Sequence, residues 1–118
     1  MKTLNNNDTT SFHLQLLSKI MDMNEYPFIN LIIENDITYK EFEELMHLLQ
    51  KLDAQYNIQK EEGFLDFTSL LVQFAGMLTE KLDPNNTIYA LKKEGYFPSL
   101  ITAFTSIIEY EEIRGKRR

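Results

Sequence analysis

Apolar residues recur along this chain at three- and four-residue steps, the period of amphipathic helices, and no stretch of four or more residues alternates strictly enough to predict a strand. Phe12, Leu16, Leu17, Ile20, Met21 and Met23 mark a first helix, with Thr10 or Ser11 as its cap. It is expected to break at Tyr26-Pro27-Phe28, because a residue before proline is pushed out of the α region and Pro27 then suits the first turn of a new helix. That second helix, about residues 27 to 35, is short and apolar nearly all round: Phe28, Ile29, Leu31, Ile32 and Ile33 leave only Asn30 and Glu34 polar. It is either wedged into the core or covered by another subunit. Thr38 and Glu41 have the spacing of a capping box and predict a third helix to about Lys60. Its apolar stripe is Tyr39, Phe42, Leu45, Met46, Leu49, Leu52 and Tyr56, with Lys40, Glu43, Glu44, Lys51 and Asp53 toward water. Gly63 suits the left-handed position that ends such a helix, and Phe64 supplies the apolar contact that follows it.

The most apolar stretch runs from Gly63 to Leu82. From Phe67 onward its large side chains cover most of a helical wheel, which predicts a central helix over about Phe67 to Leu82, capped by Asp66 and stopped by Asp83-Pro84. Glycine in a helix costs about 1 kcal/mol against alanine, so Ala75-Gly76 predicts the close approach of a neighbouring helix. A fifth helix starts at Pro84, carries Ile88 and Leu91 with Tyr89 beside them, and ends at Gly95. A final helix from Pro98 to about Ile113 is expected to bury Leu100, Ile101, Phe104, Ile107 and Ile108. The expected fold is therefore all-α: a single-domain multihelical bundle of five or six helices around the central apolar one. Residues 1–10 are polar and expected to be disordered, 11–113 form the helical domain, and 114–118 form a basic tail.

At 118 residues one domain is expected, and about two thirds of the unfolded surface is then buried. The chain has no cysteine, which excludes disulfides, thiolate metal sites and cysteine nucleophiles. No apolar run follows Met1-Lys2 and nowhere do eighteen apolar residues stand together, so neither a secretion signal nor a membrane span is expected, and the cytoplasm is the expected location. The net charge of −6 is uneven: Arg114, Lys116, Arg117 and Arg118 supply four of the twelve cations. The remaining chain has eight cations against eighteen carboxylates. A body so acidic repels a polyanion, which argues against nucleic acid as a partner except through the tail. The simpler reading of the tail is a helix end whose cations complement the dipole.

Two patterns invite metal chemistry and neither completes it. The segment Asn35 to Phe42 looks like half of an EF-hand loop, with Glu41 at the twelfth position, but counting back puts Ile32 at position three, where its side chain has no oxygen to offer. Glu44 and His47 share the spacing of di-iron bundles, which need two such pairs, and His13 has Thr10 where its glutamate should be. The ordinary readings are capping for the first and a solvated pair on one helix turn for the second, with His13 a surface residue. There is no Gly-x-Ser-x-Gly elbow, and Gly63, Gly76, Gly95 and Gly115 never cluster into a phosphate loop. Asn30, Gln73 and Thr79 read as residues satisfying backbone groups or facing water. No catalytic, cofactor-binding or metal-binding residue is predicted.

Asp22-Met23, Tyr26-Pro27-Phe28, Gly63-Phe64, Phe67, Leu70-Leu71, Phe74-Ala75-Gly76, Leu78, Glu80-Lys81-Leu82, Thr87-Ile88 and Ala90-Leu91 together resemble the YhaI-like family, small helical proteins of unknown function from Bacillus-type bacteria. The similarity covers about residues 20 to 108. The resemblance implies a multihelical bundle that self-associates, and it implies no activity or functional residue.

The expected function is that of a non-catalytic interaction or structural protein, a helical homo-oligomer. Its contact surface would draw on Tyr26, Pro27, Phe28, Leu31 and Ile32 or on the flanking first helix. One alternative is a regulator that contacts nucleic acid or an acidic partner through the basic tail. Another is an enzyme or small-molecule carrier with a carboxylate-lined pocket.

Overall fold

Helix-starting and helix-stopping residues divide the chain into α1 (Lys2–Ile20), α2 (Pro27–Glu34), α3 (Tyr39–Glu61), α4 (Thr68–Met77), α5 (Pro84–Glu94) and α6 (Pro98–Lys116). The computed structural model describes the backbone of residues 2–20 and 25–116, and the side chains of residues 8–20 and 25–115. Met21, Met23, Arg117 and Arg118 lie outside the described residues. Among the described residues every element is helical, so the fold is all-α.

The punctuation acts through the expected chemistry. Thr38 Oγ1 accepts from Glu41 N at 3.1 Å while Glu41 Oε1 accepts from Thr38 N at 2.9 Å, so two free donors at the start of α3 are satisfied reciprocally. At the other end Gly63 takes φ +91, and the Phe64 N–H reaches back to the Gln59 carbonyl at 2.9 Å. Asp83 Oδ2 accepts from Asn86 N at 2.9 Å, Pro84 occupies the first turn of α5, and Gly95 ends it at φ +82.

The core forms where α6 meets α3, α4 and α5, and α5 in turn carries α2 on its other side. Leu45, Leu49 and Leu52 of α3, Leu70 and Phe74 of α4, Ile88 and Leu91 of α5, and Leu100, Ile101 and Phe104 of α6 fill it. Aromatic pairs tie the layers together: Phe74 to Phe104 with ring centroids 5.9 Å apart, and Phe28 edge-on to Tyr96 at 5.1 Å.

The structure corrects several sequence expectations. The apolar helix predicted over Phe67 to Leu82 stops at Met77 and lies at the side of the core, with Leu70 and Phe74 as its only buried residues. Leu82 is buried from an irregular segment, so the run of apolar residues continued to serve the core after the helix had ended. The centre belongs to α6, whose Leu100, Ile101, Phe104, Thr105 and Ile108 are all buried.

Asp66 accepts from Thr68 N at 3.0 Å and from Thr68 Oγ1 at 2.6 Å, a turn just before the helix, and the cap position falls to Phe67, which has no oxygen to offer. A Cβ added at Gly76 would meet nothing within 4 Å, so among the described residues no helix makes the close approach expected there. Tyr39 is 76% exposed because it is the first helical residue, beyond the packed stripe, whereas Leu48 is buried.

Residues 2–10 are helical where disorder was expected. No proline or glycine interrupts residues 2 to 20, and extending a nucleated helix adds one hydrogen bond per residue fixed. Arg114 and Gly115 belong to α6, so the basic end begins as helix and not as a separate tail.

Candidate functional site

Among the described residues, α1 has more exposed large apolar side chains than any other helix. Phe12, Leu16 and Ile20 follow one another at four-residue steps with Leu17 alongside, and steps of three and four put side chains on the same face. The four are between 44% and 81% exposed, and no described side chain of α1 is buried. α1 takes no part in the helix pairings that build the core. His13 lies beside the stripe, its ring 6.0 Å from that of Phe12.

The second exposed set is on α2. Tyr26, Ile29 and Ile33 are spaced three and four apart and all are exposed. Of the residues expected to form a contact surface, Tyr26 is exposed and Pro27, Leu31 and Ile32 are half-buried, the last two packed against the core. Phe28 is fully buried between Phe42 and Tyr96, so its side chain is not free for a partner. The reason is a contact that sequence reasoning missed: Glu94 Oε2 accepts from Ile29 N at 3.0 Å and also from Phe28 N, which draws the start of α2 onto the end of α5. The two partners lie 65 and 66 residues apart, and no local pattern pairs them.

Lys81 is a second long-range contact that the sequence did not disclose. Its Nζ donates to the Asp36 carbonyl at 3.0 Å and to Glu41 Oε1 at 2.9 Å, fastening the loop after Leu78 to the start of α3. The Lys81 ammonium, followed by the Thr38 backbone N–H, holds the Glu41 carboxyl below the usual carboxylate range. Asp36 itself is in the left-handed region at φ +54. The hydrogen bond it accepts there comes from outside its own turn.

Glu44 and His47 lie exposed on α3 and line an open groove of about 420 Å³ with Leu48, Lys51 and Met77. Lys51 stands one turn beyond His47, so the groove carries both signs of charge. Among the described residues no three histidine, cysteine or carboxylate side chains converge as a metal site would require. Ile32, counted above as a loop position, belongs to α2, so the half-loop that ends at Glu41 starts from a helix. Another groove of about 390 Å³ lies between α2 and α5 and includes Asn30, Leu31, Asn86, Tyr89 and Lys93. Burial, followed by the charges of Glu112 and Glu109, pushes the Tyr89 hydroxyl above its ordinary value, so it stays protonated there.

At the basic end Arg114 lies 3.4 Å from Glu111 and over the ring of Tyr110, with Glu109 and Glu112 in the preceding turns of the helix. Among the described residues no helix is long and apolar enough to cross a membrane.

Residues 1–109 match a family described as a protein of unknown function, DUF1878. The chain belongs to that family. The DUF1878 match takes in the whole of α1, which precedes the stretch that carried the resemblance noted above, and it ends inside α6. Arg114 and Lys116 fall beyond the DUF1878 match, whereas the exposed stripe of α1 falls within it.

Proposed function

We propose that this DUF1878 protein is a non-catalytic interaction protein that self-associates through α1, in keeping with its likeness to the YhaI-like proteins. The observation that carries this reading is the stripe Phe12, Leu16, Leu17 and Ile20, exposed on a helix that takes no part in the pairings that build the core and has no buried side chain among the described residues. Four large side chains about half free make one apolar patch, and the largest such patch on a typical monomer, about 300–600 Å², is often functional. Tyr26, Ile29 and Ile33 add a smaller stripe in the next helix. Most of a helix's stability in a protein comes from packing of its apolar face, so a second surface that covers the stripe would also stabilise α1 itself.

Sedimentation velocity between about 1 and 100 μM tests the reading, since micromolar affinity is the regime of a modest interface. The chain should sediment as an oligomer. The double variant Phe12→Asp, Leu16→Asp should sediment as a monomer that still unfolds cooperatively, at the temperature of the dilute parent. A chain that is monomeric throughout that range would end the proposal.

A further inference from the structure

We propose that the apolar stripe of α1 docks on the uncharged outer face of α4 in a second copy of this chain. This rests on the self-association reading and names the surface that receives α1. Ser69, Val72, Gln73 and Gly76 fall on one side of α4 at steps of three and four, and all are exposed, while Leu70 and Phe74 face the core from the other side. Val72 is 63% exposed, and Met77 at the helix end is 64% exposed.

α4 contains no charged residue, in a chain of which 25% is charged. A helix with a face toward water ordinarily carries its charges there. Gly76 is unexplained within the chain, because a Cβ would meet nothing, yet glycine costs a helix about 1 kcal/mol against alanine. A helix of another copy crossing at Gly76 would account for it.

Length and charge fit α1 as the occupant. Phe12 to Ile20 spans about 13 Å of helix and the ten residues of α4 about 15 Å, so the two faces match end to end. From Thr9 to Ile20 α1 has no carboxylate and one lysine, Lys19, so it approaches a molecule of net charge −6 without repulsion.

Covered surface decides between this contact and α1 against α1. Closed reciprocally, with each copy giving one stripe and receiving one, the assembly covers two stripes and two α4 faces, and greater buried area is what separates a stable interface from an incidental contact. Two stripes facing each other cover the stripes alone and leave Val72 and Met77 of both copies wet.

The absence of cysteine gives cross-linking a clean background. Leu17→Cys and Gln73→Cys chains carrying tags of different mass, mixed and mildly oxidised, should form a covalent pair containing one of each, at least tenfold faster than either chain alone. Val72→Asp, at an exposed position, should weaken self-association at least tenfold and leave the fold intact. If Leu17→Cys alone cross-links as fast as the mixture, or Val72→Asp associates like the parent, the proposed surface is wrong while self-association stands. A chain carrying both cysteines that closes on itself and stays monomeric would place α1 on its own α4 and overturn both readings.

Discussion

Glu94 supplies the cap for the helix that begins beside Phe28. Its Oε2 accepts from the backbone N–H of Phe28 and from that of Ile29, the first donors of α2 after Pro27, which has none. Tyr26, at the cap position, makes no side-chain cap of its own. A carboxylate at a helix N-terminus is favoured both by the free N–H groups and by the dipole. Gly95 ends α5 immediately after Glu94, and Tyr96 then packs edge-on against the Phe28 ring. One corner thus holds α2 through a polar and an aromatic contact together.

Removing that carboxylate should loosen α2 selectively. Glu94→Ala is expected to lower unfolding stability by about 1 to 2 kcal/mol, the range for losing a cap whose donors are then unpaired, and Glu94→Gln by less because its amide oxygen still accepts. Urea unfolding at pH 7 measures the change, and amide exchange at Phe28 and Ile29 should quicken. An unchanged midpoint in Glu94→Ala would show that packing of Phe28 holds α2 without the cap.

Contacts of this kind mark the boundary of what the residues disclose in order. The Thr38 capping box, the left-handed Gly63 and Gly95, and the prolines at the starts of α2, α5 and α6 are local devices, and the structure uses each as the sequence predicts. Glu94 and Lys81 act across 65 and 40 residues, so their partners emerge only once the helices have packed. The rank of α4 was misread for a related reason. Apolar content shows that a segment seeks cover but not what supplies it, and among the described residues Val72 and Met77 stay mostly exposed. Of the surface read from the sequence, the flanking first helix keeps its exposed stripe, whereas Phe28 is taken by the core.

The Lys81 to Glu41 contact should make part of the stability sensitive to acid. Glu41 has a lower pKa folded than unfolded, so the folded chain binds its proton less readily. The contribution is therefore complete above the ordinary carboxylate value, about pH 4 to 5, and is lost as pH falls through the lowered folded value. Lys81→Met removes the largest cause of that lowering. The stability gap between parent and Lys81→Met should shrink as pH drops from 6 to 3 in urea titrations. A gap independent of pH would mean that Lys81 matters through its bond to the Asp36 carbonyl alone.

Truncations along α4 should separate core from outer face. Leu70→Ala, fully buried, is expected to cost about 2 to 5 kcal/mol, and Phe104→Ala, in the helix that lies at the centre, about 3 to 5 kcal/mol. Val72→Ala should change the stability of the dilute chain by less than about 0.5 kcal/mol, as surface substitutions do. Denaturant unfolding below the association range is the measurement. A large loss at Val72 would mean that the α4 face is covered by its own chain.

Deleting residues 1–24 should remove association and leave the body of the fold as stable as before. α1 buries none of its described side chains and joins no packing in the core, so its loss costs the remaining helices no contact that the structure shows. Any stability that α1 confers must then come by mass action through a second copy, which makes the unfolding temperature rise with protein concentration. In the full chain that rise should be measurable across a hundredfold change in concentration, and in the truncated chain it should vanish. At high dilution the two should agree within about 0.5 kcal/mol, the scatter of changes that touch no core contact. A truncated chain that loses several times that amount when dilute would mean that α1 lies against its own body, and the exposed stripe would then be an internal surface.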